Sequence, residues 1–503
     1  MCGILFYKGS KLADKQFEVA SNSMDHRGPD YLGFYKHNDV RLAHNRLSII
    51  DISERSNQPL EIDDHIIIFN GEIYNYKELI KDHDLKVKTS SDTEVLLLMF
   101  IKYGERCLGF LNGMFAFVVY KTTTKDFFIA RDRLGIKPLY FSRPNGELIV
   151  SSEIKAIKKL IYLTVNPFSV RQYKKLRMTV KEDTMYNEVS FFPAGHYMKN
   201  NKLYKYWDLE VIDKPSPDEE ELKWLVEDSI RLRMRSDVPV STYLSGGLDS
   251  TIITALAKPN ASWTIGFDNL NEFEWSSIAG KEIGVPCNQI FVSNEKFLST
   301  LKELVSYRNE PLSVPNEVLI YIMTKEARQK GYKVILSGEG ADELFWGYDR
   351  IFKWAKQQDD LTIEGFNEKY CYGTGIDAEV VDYALSITPS GTPLQKLAYY
   401  FQKIHLHGLL RRLDNSTMMC GVEGRVPFTD HRLVEFMNGV PFEYKMGSTF
   451  KEPLKRMFSD IVPKVIIDRP KMGFPVPLDE VFATETVAEG WDKWFDFNLK
   501  NFE

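Results

Sequence analysis

Leu244-Ser245-Gly246-Gly247-Leu248-Asp249-Ser250 stands between the β-prone run Val238 to Tyr243 and the helix-forming run Thr251 to Ala257. A strand, a tight glycine turn and a helix start bring exposed backbone N–H groups and the positive end of a helix dipole to one point, which favours an anion. The stretch reads as a phosphate cradle. No Gly-Lys-Ser/Thr follows, so it is not a Walker A loop. Asp249 within the turn suits Mg²⁺, which prefers carboxylate and phosphate oxygens, and turn plus metal would suit a departing pyrophosphate. The plain alternative is an ordinary glycine-rich βα turn.

Outward from this turn, Glu219 to Arg235 reads as an amphipathic helix with Leu222, Leu225, Val226 and Ile230 on one face. The apolar runs Trp263 to Phe267 and Tyr332 to Leu336 alternate with helical text, which predicts a parallel sheet of βαβ units. Ligands gather at the carboxyl ends of such strands. That rule places the Ser245 turn, the turn after Phe267 and Ser337-Gly338-Glu339-Gly340-Ala341-Asp342-Glu343 in one crevice, with Asp249 and Asp342 facing a shared metal. Singly, each aspartate would serve as a helix N-cap.

The first half is strand-rich, at Gly3 to Tyr7, Arg41 to Ile50, His65 to Asn70, Gly113 to Lys121, Asp126 to Asp132, Leu139 to Ser142 and Leu148 to Ser151. Helical runs intervene at Leu12 to Met24, Tyr76 to Lys81 and Thr93 to Tyr103, so a layered α/β or α+β unit is expected. If Met1 is removed, Cys2 becomes the first residue, and its thiol lies beside an α-amine with a reference pKa of about 7.7–8.0. That amine can take the thiol proton and later return it to a leaving group. Downstream, Arg46, Asn70-Gly71-Glu72 and Asp92 suit an amino-acid amide: a guanidinium for the α-carboxylate, a carboxylate for the α-ammonium and amide donors for an oxyanion.

The 503 residues predict roughly two to four domains. A net charge of −6 without any long Lys/Arg block gives no footprint for nucleic acid or acidic lipid. Small substrates are expected. Five scattered cysteines without Cys-x-x-Cys spacing predict neither a disulfide framework nor a zinc site, as suits the cytoplasm. The N-terminus lacks a basic secretory start, and the apolar run Val95 to Ile101 is too short to span a bilayer. The Pro-rich, charged stretch Ile212 to Glu220 reads as a linker, giving units 1–212 and 213–503.

Met1-Cys2-Gly3-Ile4, His26-Arg27-Gly28-Pro29-Asp30, Arg46-Leu47-Ser48, Phe69 to Asn75 and Ser91-Asp92-Thr93-Glu94 together resemble the glutaminase domain of class II glutamine amidotransferases. Ala130 to Tyr140 and Ser151 to Ala156 resemble its second half, and Phe191 to Trp207 its closing strands. The resemblance implies an N-terminal-nucleophile fold, an αββα sandwich, with Cys2 as nucleophile, Asn70 and Gly71 as oxyanion hole, and Arg46, Asn70, Glu72 and Asp92 binding glutamine. Leu244 to Ser250 and Leu336 to Phe345 resemble the synthetase domain of glutamine-dependent asparagine synthetases. Supporting matches are Leu409 to Arg412, Asp414, Glu423 to Phe428, Asp430 to Phe436, Lys451 to Lys455 and Arg469 to Phe474.

That resemblance implies ATP as co-substrate, Mg²⁺ on Asp249 and Asp342, and nucleotide contacts from Leu244, Ser245, Gly246, Gly247, Asp249, Ser250, Ile265, Ser337 and Gly338. Lys451 would add positive charge at the α-phosphate, and Glu339 would either take a proton from attacking ammonia or orient its loop. The reaction implied is adenylation of a carboxylate, aspartate by default, followed by amidation with ammonia from glutamine, crossing between the centres in a closed channel. Partners would be the small substrates, with no nucleic acid or membrane, and room for a homodimer.

Trp346-Gly347-Tyr348, Gly424 and Glu310 to Glu317 depart from the family pattern and are expected on the acceptor side of the crevice, where an added indole would change the acceptor that fits. Sugar acids and peptide carboxylates therefore remain alternatives, as do a simple glutaminase and a non-catalytic glutamine or nucleotide sensor. His405 and His407 are spaced to face different sides of a helix, against a metal pair. Residues 357–390 and the tail from Trp494 carry no motif.

Overall fold

Gly3-Ile4-Leu5-Phe6-Tyr7 is apolar throughout because both faces of the strand are covered. In the computed structural model, which describes residues 2–211, 217–447, 449 and 451–502, Ile4 and Phe6 enter one core with Val40, Leu42, Ile68 and Val118. Leu5 and Tyr7 enter another, with Phe17, Ala20 and Ile154. The two-residue period of a strand thus sets β1 (Gly3–Lys8) between a second sheet and a helical layer.

In chain order the first half continues with β2 (Tyr31–His37), β3 (Val40–Arg46), β4 (Leu60–Ile62), β5 (His65–Ile73), β6 (Gly113–Lys121), β7 (Phe127–Arg131), β8 (Tyr140–Ser142), β9 (Leu148–Ser151), β10 (Ser190–Phe191), β11 (His196–Lys199) and β12 (Lys202–Lys205). They form two 6-stranded antiparallel sheets, ordered β10-β8-β9-β1-β3-β2 and β12-β11-β7-β6-β5-β4. Helices Asp14–Asn22 and Ile154–Lys158 cover the first sheet, and helix Asp92–Tyr103 covers the second by setting Val95, Leu96 and Met99 against Ile67, Phe69 and Val119. This is the expected αββα sandwich. Strand β3 stops at Arg46, short of the expected Ile50, because Leu47 to Ile50 turn away to wall the space beside Cys2.

The second half is built on a 5-stranded parallel sheet ordered β15-β14-β13-β16-β17, with β13 (Val240–Tyr243), β14 (Ser262–Gly266), β15 (Cys287–Phe291), β16 (Val334–Leu336) and β17 (Glu423–Arg425). The chain runs from β13 outward to β15, then returns on the other side of β13 for β16 and β17. The order therefore reverses between β13 and β16, and a crevice opens at their carboxyl ends. Strands β2, β4, β15 and β17 were not anticipated.

One apolar core runs from Phe69, Leu96 and Phe115 to Leu225, Leu336 and Val462, so both halves share it. The two motif-free stretches are structural: helices Ile363–Tyr370 and Ala378–Leu385 pack on Tyr400 and Phe401, and helix Val487–Asn501 buries Trp494. The division expected at residue 212 lies outside the described residues. None of the described helices is long and apolar enough to cross a membrane.

Candidate active site

Cys2 enters β1 beside β5, and its backbone N–H donates to Asn70 Oδ1 at 3.0 Å. The other end of that amide, Nδ2, is buried without a partner. The residue that binds the Cys2 backbone thus keeps one amide donor without a partner, the kind of group an oxyanion hole requires. A Cβ on Gly71 would sit 2.1 Å from the Met114 carbonyl oxygen, so the strand pairing there admits only glycine. Asp92, in the first turn of a helix capped by Ser91, accepts the Ile73 N–H at 2.9 Å.

Cys2, Gly71 and Asp92 line a cavity of about 30 Å³ with Arg46, Glu72 and Glu423, room for one water, and Asn70 stands behind its wall. Arg46 is engaged by its own loop, donating to Ser53 O at 2.8 Å, Asn57 Oδ1 at 2.7 Å and Asp51 O. Burial pushes the Cys2 thiol up. Burial also pushes Asp92 up to about 6, with Glu423 adding to the rise against the Ile73 hydrogen bond. Glu72 is raised well above the usual range by burial, Asp92 and Glu423. The Arg425 guanidinium compensates, donating to Glu72 at 3.0 Å and to Glu423 at 2.5 Å. Reading the motifs separately assigned Glu423 and Arg425 to the second half alone; β17 delivers Glu423 to the thiol pocket and Arg425 to the Glu72 and Glu423 carboxylates behind it.

Around the second centre, Gly246 at φ +72 turns the chain so tightly that a Cβ would lie 2.4 Å from the Trp275 carbonyl carbon. Ser245 Oγ lies 3.2 Å from Ser250 Oγ and accepts the Gly247 N–H at 3.2 Å, fixing the turn from within. Helix Leu248–Ala257 has no side-chain cap, which leaves its first N–H groups for an anion. Across the crevice, helix Ala341–Leu344 presents Asp342 from its own first turn.

Lys451 joins the two sides: its Nζ binds Asp249 Oδ2 and lies 2.7 Å from Asp342 Oδ1, which also pairs with Lys471 at 2.6 Å. Burial works against ionisation of Asp342, yet Lys451 and Lys471 hold its carboxyl below the usual range. Burial likewise opposes the Lys451 ammonium, and the two aspartates nevertheless raise its pKa. Asp249 is raised, chiefly by burial, and its Oδ1 is buried without a partner. Among the described residues no group of three or more His, Cys, Asp or Glu forms a metal cage. Two carboxylates with one unpartnered oxygen do fit Mg²⁺ that takes its remaining ligands from phosphates and water. Glu339 is paired with Arg412, whose Nη1 donates to Asn316 at 3.0 Å.

Leu244, Ser245, Gly247, Asp249, Ser250, Ile265, Ser337, Gly338, Glu339, Asp342 and Lys451 all line one cavity of about 1580 Å³. Gly246 does not, being pressed against Trp275, although its carbonyl accepts from Arg469 at 2.9 Å. The turn after Phe267 is likewise absent from the wall until Glu272.

Of the residues expected on the acceptor side, Gly347 and Tyr348 reach the cavity wall and Trp346 and Gly424 do not. Trp346, at φ +55, swings into the core and stacks on Phe352 with ring centroids 4.6 Å apart, so its indole never reaches the cavity. Gly424 faces Leu413, whose Cγ would lie 3.0 Å from a Cβ there. The Glu310 segment does reach the wall, through Val314, Pro315 and Asn316. Lys471, Arg412 and Arg469 were quoted above as motif letters without a role, and Arg177, also on the wall, carried no signal at all.

Residues 221–497 match the asparagine synthase family, and residues 1–207 match the glutamine amidotransferase domain family. A putative glutamine-hydrolysing asparagine synthetase of Mycobacterium tuberculosis is 31% identical, covering 95% of this chain and 88% of that one. Glutamine-hydrolysing asparagine synthetase 1 of Bacillus subtilis is 30% identical over 90% of this chain and 82% of its own. A Penicillium rubens protein named amidase chyE is 28% identical over 89% and 83%.

Proposed function

Because the chain belongs to the asparagine synthase family and is an asparagine synthetase-like carbon–nitrogen ligase, we propose that it hydrolyses glutamine at Cys2 and uses the ammonia to amidate a carboxylate activated by ATP. The observation that carries this reading is the Asp249–Lys451–Asp342 cluster at the strand-order reversal, facing an uncapped helix start. We assign the units to residues 1–212 and 213–503.

The Cys2 thiolate, freed by its own α-amine once Met1 is removed, attacks the glutamine side-chain carbonyl. The oxyanion takes hydrogen bonds from Asn70 and the Gly71 backbone, ammonia leaves, and water releases glutamate. Arg46, Glu72 and Asp92 hold the amino-acid end, which requires the Asp51 to Asn57 segment to release Arg46. In the crevice, Leu244 and Ile265 border the adenine nucleotide, and Ser245 to Ser250 with Ser337 and Gly338 cradle its phosphates. Mg²⁺ bound by Asp249 and Asp342 would offset the charge of the departing pyrophosphate. Lys451 holds the two carboxylates together and presents an ammonium at the α-phosphate. Glu339, kept in place by Arg412, receives the proton of the attacking ammonia.

Aspartate is the proposed acceptor, since the relatives named above are asparagine synthetases; the kinship with an amidase makes another carboxylate the second reading. Mass spectrometry of products from ATP, glutamine and a panel of carboxylates decides between them, with asparagine, AMP, pyrophosphate and glutamate expected. Cys2→Ala is expected to abolish glutamine-supported synthesis and to retain synthesis from ammonium. Glutamate and ammonia formed without ATP cleavage under every acceptor would leave only a glutaminase.

A further inference from the structure

The crevice is larger than the roughly 300–1,000 Å³ of a single-ligand site, and one part of its wall comes from the other half of the chain. Helix Pro167–Leu176 ends at Arg177, a left-handed residue at φ +66. Glycine would occupy that conformation without the roughly 1–2 kcal/mol penalty of a side chain. The helix end is bolted across the domain junction: Lys175 Nζ donates to the carbonyls of Tyr372, Thr374 and Gly375 at 3.1, 3.1 and 2.6 Å, and Tyr372 N–H donates back to Lys175 O at 2.9 Å.

This docking sets the Arg177 guanidinium 4.4 Å from the Tyr372 ring centroid and on the cavity wall. Its Nε is buried without a partner, and among the described residues no carboxylate pairs with it. Glu368, on the same cavity wall, pairs with Lys369 at 2.6 Å. Between Arg177 and the phosphate end runs a continuous hydrogen-bonded wall. Tyr370 OH donates to His405 Nδ1 at 2.7 Å, His405 Nε2 donates to Tyr348 OH at 3.2 Å, and Tyr348 OH donates to Glu343 at 2.7 Å. Lys471, already on Asp342, lies 4.8 Å over the Tyr348 ring. The crevice therefore has cations at both ends of an aromatic wall, and the carboxylates ion-paired to Lys451 and Lys471, Asp249 and Asp342, stand at the phosphate end. The Arg177 guanidinium keeps its charge against the Tyr372 ring and the Tyr370 hydroxyl rather than against a carboxylate, so a ligand can supply the carboxylate that the fold does not.

We propose that Arg177, donated by the glutaminase half, recognises a second carboxylate on the acceptor, so that the enzyme selects dicarboxylates whose other carboxyl group lies at Asp342 and Lys471. The inference rests on the ligase reading above. The test measures pyrophosphate release with ATP and ammonium for two pairs of acids that differ in one carboxylate: aspartate against 3-aminopropanoate, and succinate against butyrate. Wild-type protein, Arg177→Gln and Arg177→Lys are compared.

Arg177→Gln is expected to raise KM for the dicarboxylates about ten- to hundredfold, the loss of one charge-assisted hydrogen bond. KM for ATP, KM for the monocarboxylates and glutamine hydrolysis should hold, and Arg177→Lys should recover part of the loss. A parallel rise for both classes of acid, a rise in KM for ATP, or an unchanged dicarboxylate preference overturns the inference while leaving the ligase reading intact. Absence of pyrophosphate release by wild-type protein with every acid overturns the ligase reading and the inference with it.

Discussion

Asp92 illustrates how a single buried carboxyl sets a pH dependence. With its pKa pushed up to about 6 it is protonated below that pH and cannot hold an ammonium; above it the carboxylate is available. KM for glutamine is therefore expected to rise about tenfold per pH unit below 6 while kcat changes less, and Asp92→Asn to give a high KM with no such slope. Glu72 titrates with Asp92, so the midpoint belongs to the pair. Lys451→Met is expected to lower AMP formation by about 10²–10³-fold from either nitrogen source, with glutamate formation from glutamine retained. Single residues were also where sequence reading was least secure. Asp249 and Asp342 were legible because glycine turns mark their neighbourhood, and Lys451 only through the family resemblance, whereas the direction of Trp346 depends on one positive φ and a waiting Phe352, which no local pattern encodes.

Short elements carry the reaction centres here, and short elements are hard to read. β1, β5 and β6 announce themselves through long apolar runs covered on both faces. β17 is Glu-Gly-Arg, charged at both ends, and reads as a loop; it is a fully buried strand only because Arg425 pairs with Glu423 and Glu72. Its Arg425 carbonyl also accepts the Ser337 N–H at 2.8 Å, so one three-residue strand touches both centres. The turn after helix Ala341–Leu344 is as tightly constrained. A Cβ at Gly347 would lie 1.7 Å from Asp342 Oδ1, so Gly347→Ala must push that carboxylate off Lys451. We expect loss of ATP cleavage by at least about 10²-fold, with glutamine hydrolysis and the melting temperature little altered.

On the scale of the whole molecule, the two halves are joined by buried charge as well as apolar surface. Arg27 pairs with Asp414 at 2.9 Å and Arg425 with Glu72 at 3.0 Å, each linking the first half to the second. Arg425→Leu would strand two buried carboxylates, and denaturant titration should show a loss of about 3–5 kcal/mol. Nitrogen passing between the centres within this junction should stay out of bulk water: with amide-labelled glutamine and excess unlabelled ammonium, the amide product is expected to keep the label. Sequence pattern gave the number and kind of the halves, since each contains its own sheet signature. It could not give their docking, because contacts such as those from Lys175 to Tyr372, Thr374 and Gly375 join backbone carbonyls that any residue would supply. The apolar core common to Leu96 and Leu225 has a practical corollary. A nick in the backbone between Trp207 and Asp218 should yield fragments that co-purify and still work as a complemented pair, while either piece expressed alone should aggregate.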